Sequence, residues 1–123
     1  MKANKGFTLI ELLAVIVILA IIALIATPMI LNVIDRANQG AKENSAYGYI
    51  DAAEKQISLN LLDGTTQPTE IVDPAFVTVK GEQPTSVSLD LSNGVVTNGI
   101  IRFGTGSDAE DIKITDGKAK YTK

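Results

Sequence analysis

The sequence predicts an α+β fold in which a long N-terminal α-helix, its hydrophobic half protruding, packs against a small antiparallel β-sheet head. From Leu12 to Ala26 every residue is Leu, Ile, Val or Ala, and after Pro28 apolar residues recur at helical spacing. Beyond Gly64, short alternating segments are separated by Asn-Gly and Asp-Gly pairs, which are typical of antiparallel hairpins. The 123 residues suffice for one small domain and one long element.

The composition argues against an enzyme and predicts no cofactor. The chain contains no Cys and no His, so it lacks disulfides, thiolate metal sites, the commonest general base and the commonest imidazole ligand. Its formal net charge is −3, which is unlike the basic character of nucleic-acid-binding domains. Nucleic acid is therefore not an expected partner.

The apolar N-terminal segment from Phe7 to Leu31 exceeds the ~20 residues that a membrane-spanning helix needs. Lys2 and Lys5 precede it and no comparable basic cluster follows, which predicts a cytoplasmic N-terminus. Glu11 lies inside the segment, where a carboxylate costs ~2.5–3.5 kcal/mol and is seldom left without a partner. The segment therefore needs an interpretation that accounts for this carboxylate.

Three interpretations of the apolar segment compete. A secretory signal peptide would need a small-x-small cleavage site after the apolar run, but Leu24 stands where a small residue should be. An ordinary membrane anchor explains the apolar length and leaves Glu11 unexplained. The third interpretation rests on the residues that surround Glu11.

The residues Lys5-Gly6-Phe7-Thr8-Leu9-Ile10-Glu11-Leu12 resemble the processing site of type IV prepilins, and the resemblance extends roughly to Ala53. In that family, a membrane prepilin peptidase cuts after the Gly and N-methylates the new first residue. The resemblance implies cleavage between Gly6 and Phe7, with Phe7 as the methylated terminus. Gly6 suits such a cut because it has no side chain and a flexible backbone.

The resemblance also implies roles for Glu11 and Pro28. In the family, the equivalent Glu is thought to neutralise the terminal amine of a neighbouring subunit, a pairing that makes two charges tolerable in an apolar place. The alternative is a Glu near the membrane surface whose side chain reaches water. Pro28 predicts a kink or local unwinding of the helix, because proline removes a backbone hydrogen bond.

The predicted domains are a cleaved leader (1–6), a hydrophobic transmembrane or filament-core helix (7–31), its amphipathic continuation (32–62) and a β-rich globular head (63–123). Leu62-Asp63-Gly64 supplies the stop signal of the helix. Gly40 and Gly48 are either flexible points or points of close contact. One apolar stripe at helical spacing is expected to pack on the head, and it comprises Ile30, Ile34, Ala37, Ala41, Ala46, Ile50, Ala53, Ile57 and Leu61.

The head is predicted to be a meander of three to five antiparallel strands. Residues 63–74 read as a loop, Phe76–Lys80 as a short strand and Thr85–Leu91 as a longer one. Asn93-Gly94 predicts a hairpin turn, and Asn98-Gly99 predicts a bulge or a second turn. A final hairpin is expected from Ile112 to Thr122 around Asp116-Gly117.

Two charged clusters in the head are weak site candidates. Asp108, Glu110 and Asp111 supply oxygens of the kind that Ca²⁺ prefers, although a solvated acidic loop is the favoured interpretation. A lysine-rich C-terminal end could form an adhesive or DNA-contacting patch, but lysines at a strand edge that aid solubility are favoured. Its members are Lys113, Lys118, Lys120 and Lys123.

The resemblance implies that the chain is a pilin, a structural subunit of a filament. The sequence leaves open whether it is the major pilin. The implied partners are copies of itself in a helical homopolymer, the prepilin peptidase, the pilus assembly machinery with minor pilins, and the membrane before assembly. The chain would be a single-pass cytoplasmic membrane protein and then part of an extracellular pilus, of the kind used for cell adhesion and twitching motility.

Two other functions compete with the pilus subunit. One is a pseudopilin of a type II secretion or competence DNA-uptake system, and the absence of Cys favours either this class or pilins of Gram-positive type, since many Gram-negative pilins carry a C-terminal disulfide. The other is a single-span membrane-anchored enzyme or binding module, which the absence of His and Cys disfavours.

Overall fold

The computed structural model describes residues 6–122. They form two compact units, one reaching to Ala37 and a C-terminal unit that starts at Asn38. Helix α1 (Leu9–Leu62) contributes 54 residues and takes part in both units. Every buried side chain of the described residues lies in the C-terminal unit.

The first unit consists of the apolar part of α1 and the short segment before it. Every Leu, Ile, Val, Met and Phe from Phe7 to Ile34 is at least 48% exposed. Among the described residues, α1 is the one helix that is long and apolar enough to cross a membrane. A continuous apolar surface of this size is not left in water by soluble monomeric proteins, so it marks a surface that lipid or protein covers.

Helix α1 runs through Pro28 without interruption. Pro28 has no N–H to donate to the carbonyl of Leu24, and the hydroxyl of Thr27 donates instead to the neighbouring carbonyl of Ala23 at 2.6 Å. The helix is not unwound here in the isolated chain. The unwinding that the family resemblance implies for an assembled filament stays a prediction.

The C-terminal end of α1 confirms the predicted stop signal. Gly64 adopts a φ of 78°, which favours glycine. Its N–H donates to the carbonyl of Leu61 at 3.1 Å, and the N–H of Thr65 donates to the carbonyl of Asn60 at 2.9 Å. These two bonds form a Schellman motif, which satisfies the last carbonyls of the helix.

Five antiparallel strands follow in a single sheet of order β1-β2-β3-β4-β5, which confirms the predicted meander. The strands are β1 (Glu70–Ile71), β2 (Ser86–Ser92), β3 (Val95–Phe103), β4 (Glu110–Thr115) and β5 (Lys118–Thr122). The predicted hairpins around Asn93-Gly94 and Asp116-Gly117 are both present. Each turn has two residues with positive φ, between 52° and 79°, a geometry that matches the twist of the flanking strands.

The structure decides between the two interpretations of Asn98-Gly99 in favour of a bulge. Asp90 pairs with Asn98 while Leu91 pairs with Val96, so Thr97 is the extra residue in a continuous β3.

Gly99 is required beside this bulge. Its φ is 144°, and a Cβ built on it would lie 2.1 Å from the carbonyl oxygen of Ser88 and 2.8 Å from the Cα of Leu89. Only a residue without a side chain lets the two strands approach this closely.

The predicted strand Phe76–Lys80 is wrong. A 3₁₀ helix (Pro74–Phe76) occupies its start because the Asp73 carboxylate accepts a hydrogen bond from the Ala75 N–H at 2.9 Å. Beyond it, the Gln83 side chain forms hydrogen bonds with backbone groups that a strand would use to pair with its neighbour. It donates to the Val77 carbonyl at 2.8 Å and accepts from the Val79 N–H at 3.2 Å.

The short strand β1 lies inside the predicted loop 63–74, so that prediction is also wrong in part. Two residues are too few to show the alternation by which a strand is recognised.

The core of the C-terminal unit lies between one face of α1 and the inner face of the sheet. Helix α1 contributes Ala46, Tyr49, Ile50, Ala53 and Ile57. The sheet contributes mainly Ile71, Val87, Leu89, Val96, Ile101, Phe103, Ile112 and Ile114.

The predicted stripe on α1 is wrong in part, because its members Ile30, Ile34, Ala37 and Ala41 are all exposed. Two further positions on α1 also differ from the prediction. Leu61 is 43% exposed, because Ile57 already lies against the β2–β3 turn and Leu61 extends one helical turn further. Tyr49, which the predicted stripe did not include, is fully buried. Its hydroxyl lies 3.2 Å from the carbonyl oxygen of Asp73 and 3.1 Å from that of Pro74, and burial followed by the charge of Asp73 raises the pKa of Tyr49 to about 12.

Candidate functional site

The start of α1 is a capping box formed by Thr8 and Glu11. The Thr8 hydroxyl accepts a hydrogen bond from the Glu11 N–H at 3.2 Å, and Glu11 Oε2 accepts one from the Thr8 N–H at 3.1 Å. This reciprocal pair satisfies two backbone donors that a helix N-terminus otherwise leaves free. The prediction from sequence missed it, although a Thr three residues before a Glu is its signature.

The sequence suggested that the Glu11 carboxylate has no partner within its own chain, and the capping box shows that it has one. In a single chain it already bonds to its own helix, whose N-terminal dipole favours a negative charge. Among the described residues only Oε2 is engaged, so Oε1 remains able to accept a further hydrogen bond. The carboxylate is therefore held in place and still has capacity for a donor from another molecule.

Gly6 and Phe7 form a non-helical segment directly before α1. Phe7 is 84% exposed, and a Cβ built on Gly6 would meet no atom within 4 Å. The peptide bond between them is thus sterically accessible. The rest of the predicted leader, with Lys2 and Lys5, lies outside the described residues. Cleavage at Gly6 and methylation of Phe7 stay predictions.

The three acidic residues that were weak calcium candidates do not converge. Glu110 lies 3.4 Å from the Nζ of Lys42. Asp111 accepts two hydrogen bonds from Arg102, at 2.6 and 2.8 Å, and this guanidinium lowers the pKa of the Asp111 carboxyl. Asp108 is exposed at the end of a 3₁₀ helix. Residues 6–122 contain no acidic cluster able to hold a metal ion, and two of these carboxylates form ion pairs rather than a solvated loop.

Lys42 joins three segments of the C-terminal unit. It forms ion pairs with Glu82, which precedes β2, and with Glu110, which begins β4, and it lies 5.4 Å from the centre of the Phe103 ring. Burial acts to lower the pKa of Lys42, but hydrogen bonds and charges from the two carboxylates raise it above the usual value. The sequence offered no sign of this cluster, because its members are far apart along the chain.

The outer edge of β5 is closed by side chains of α1. The N–H of Ala119 donates to the Tyr47 hydroxyl at 2.9 Å, and the N–H of Tyr121 donates to the carboxylate of Glu43 at 2.9 Å. Unpaired N–H groups on an edge strand otherwise invite another chain to add a strand. These two N–H groups are therefore already bonded and are not available to an added strand.

Comparison with known proteins identifies the N-terminal segment. Residues 1–27 match the family model described as the prokaryotic N-terminal methylation motif. This match supports the resemblance of the N-terminal segment to type IV pilin-like proteins. The chain is also 28% identical, over 94 residues, to the ComG operon protein 3 homolog of Bacillus licheniformis. That alignment covers 74% of this chain and 93% of the relative. No solved structure matches the chain.

Proposed function

We propose that this pilin-like chain is the structural subunit of a type IV pilus, made as a membrane-anchored precursor and polymerised through α1 into an extracellular filament. One observation carries the proposal: the methylation motif is joined to a helix whose large apolar side chains, as far as Ile34, are all exposed. Lipid covers this surface before assembly, and the helices of other copies cover it afterwards.

Processing prepares the subunit for this assembly. Prepilin peptidase cuts between Gly6 and Phe7 and methylates the new amino terminus. In the filament, Oε1 of Glu11 accepts a hydrogen bond from the Phe7 amine of a neighbouring copy. Two such charges are costly when each is alone among apolar groups and tolerable when they pair. The capping bond from Thr8 holds the carboxylate ready for that contact.

Partners and location follow from the same proposal. The chain requires the prepilin peptidase and a pilus assembly machine with its minor pilins. Lys2 and Lys5 keep the N-terminus in the cytoplasm before assembly. Abundant surface filaments would make the chain a major pilin, with cell adhesion and twitching motility as its activities.

Processing is tested on protein sheared from cells that express the full chain together with a prepilin peptidase. We expect visible filaments whose intact mass and N-terminal sequence correspond to a chain beginning at N-methylated Phe7. Gly6→Val should leave the leader attached and prevent filaments, whereas Gly81→Val, at another exposed glycine with open space around it, should not. A native protein that retains its leader would sink the proposal.

A second candidate is a pseudopilin of a competence DNA-uptake or type II secretion system. The ComG operon relative, aligned over 93% of its length, favours the competence version. Deleting the gene separates the two candidates. Loss of DNA transformation, with only short filaments inside the cell envelope, supports the pseudopilin. Loss of long surface filaments with unchanged transformation supports the pilus subunit.

A further inference from the structure

The outer face of the sheet, which points away from α1, is polarised in charge. One row of directly paired residues crosses all five strands in the order Glu70, Asp90, Asn98, Thr115, Lys118. All five side chains are exposed. The row therefore begins with two acids at one side of the sheet and ends with a base at the other.

The neighbouring row repeats this polarity. It runs Ser88, Ile100, Lys113, Lys120, and it places the two lysines directly opposite each other on β4 and β5. We name Glu70 and Asp90 the acidic edge. The basic edge comprises Lys113, Lys118 and Lys120.

Each edge contains an unfavourable contact within the single chain, because like charges directly opposite each other on paired strands repel. Neither edge is relieved inside the subunit: among residues 6–122 the ion pairs involve only Lys42 with Glu82 and Glu110, and Arg102 with Asp111. The third row of the face contains that last pair, which neutralises itself.

The two edges are too far apart to neutralise each other. The nearest members of the two edges, Asp90 on β2 and Lys113 on β4, lie two strand spacings across and two residues along the sheet, so their Cα atoms are about 12 Å apart. Exposed charges at that separation are screened, since the Debye length is about 8 Å at physiological ionic strength. The repulsion between like charges on each edge can therefore be reduced only by opposite charges from outside the subunit.

We propose that the acidic edge of one copy docks on the basic edge of the next copy, head to tail. The inference rests on the proposed function, since it supplies a contact between heads in the filament. Such a contact joins two different surfaces, and a repeated contact of this kind builds open helical filaments rather than closed dimers. It is made by side chains, because Tyr47 and Glu43 already occupy the outer N–H groups of β5.

A second copy explains the face better than a polyanion such as DNA does. A polyanion would bind the basic edge and be repelled by the acidic edge of the same face. A second copy provides the complement of both edges at once, and it is present wherever the chain is assembled. Charge complementarity of this kind sets register and excludes wrong partners.

Charge reversal in the full chain tests the contact. One variant reverses the acidic edge (Glu70→Lys, Asp90→Lys), and another reverses the basic edge by changing its three lysines to Glu. Each variant alone should yield filaments at a level at least about tenfold below wild type, because like charges then meet at every contact. Cells that express both variants together should form mixed filaments near the wild-type level, because an all-basic face then alternates with an all-acidic one.

The matched control for the acidic-edge reversal carries Asp51→Lys and Asp63→Lys. It makes the same change in net charge as that variant, at exposed positions on α1 and just after it. It should assemble normally, and an equal loss of filaments would mean that net charge alone matters. Near-UV circular dichroism in detergent checks that each variant folds, and Glu70→Gln with Asp90→Asn replaces the acidic-edge reversal if it does not. These neutral changes should lower the filament yield without abolishing it.

Disulfide trapping tests the geometry, and the native chain has no Cys to interfere. Glu70 and Lys118 are four strand spacings apart, about 19 Å, whereas a disulfide needs Cα atoms within about 7 Å. A chain with Glu70→Cys and Lys118→Cys should therefore give a ladder of multimers when its filaments are oxidised. Each single Cys variant should stay monomeric, and dimers from a single variant would refute the head-to-tail contact.

The outcomes separate this inference from the proposed function. Wild-type filaments together with unimpaired charge-reversal variants would overturn the edge contact and leave the pilus assignment standing. Basic-edge variants that assemble normally but lose binding to double-stranded DNA would assign that edge to nucleic acid and overturn the contact. Absence of wild-type filaments under peptidase expression would overturn both.

Discussion

The roles of Glu11 in capping α1 and in pairing with a neighbouring amine can be separated by two substitutions. Glu11→Gln removes the charge but retains an oxygen for the Thr8 N–H, and Gln is an accepted residue at this position of a capping box. Thr8→Val keeps the charge and removes the hydroxyl that accepts the Glu11 N–H, a bond of 3.2 Å in an exposed first turn. Each variant thus loses one role.

The two roles differ in expected size. Loss of a helix cap costs about 1 kcal/mol, which corresponds to about a fivefold change in an equilibrium. Removing one partner of a buried ion pair costs about 3–5 kcal/mol, which corresponds to at least a hundredfold change. If pairing with the Phe7 amine drives assembly, Glu11→Gln should reduce the filament yield about a hundredfold or more, and Thr8→Val should reduce it only a few-fold.

The assay is the amount of subunit sheared from cells relative to the amount left in the membrane, with leader cleavage measured in the same samples. Thr27→Val is the matched control, because the Thr27 hydroxyl bonds only to the backbone of its own helix, at Ala23. Normal filaments from Glu11→Gln would refute the pairing, and a severe defect in Thr8→Val alone would show that capping is what assembly requires.

Three further predictions concern the C-terminal unit and are measured by chemical denaturation of a fragment that starts at Asn38. Tyr49→Phe should cost about 1 kcal/mol at neutral pH through its lost hydrogen bond. The pKa of Tyr49 is raised to about 12 from about 10, so the wild type should lose up to about 3 kcal/mol more than this variant as pH rises from 10 to 12. Gly99→Ala should cost about 3 kcal/mol or more, because its Cβ would clash with the backbone of β2, whereas Gly48→Ala, in open space on α1, should stabilise by about 1 kcal/mol. Asp111 has a lowered pKa, so the stability it contributes is present above about pH 4 and lost as pH falls further; Asp111→Asn should flatten that acid-induced loss, and an unchanged acid profile would contradict it.

The hairpins of the head were predictable because their signals are local. Asn93-Gly94 and Asp116-Gly117 need only their own backbone preferences to specify a two-residue turn. The strand predicted at Phe76–Lys80 failed because Gln83, several residues away, takes its backbone groups. Competition of that kind does not show in the alternation of side chains.

The candidate assembly site was predictable in its residues but not in its geometry. Gly6, Phe7 and Glu11 stood out because a carboxylate in an apolar run needs an explanation. The bond from the Thr8 N–H to Glu11 was overlooked although its signature is local. The Lys42 cluster, by contrast, depends on which loops the fold brings over α1, and no spacing along the chain encodes it.

The sequence by itself determined the apolar helix, its N-terminal methylation motif and the antiparallel nature of the head, because hydrophobic period, glycine turns and a short motif act within a few residues. Only the tertiary structure decided how charges are distributed. Strand register placed Glu70 beside Asp90 and Lys113 beside Lys120, and it paired Arg102 with Asp111 between them. Register follows from long-range pairing, so the polarity of the outer face could not be obtained from charge counts along the chain.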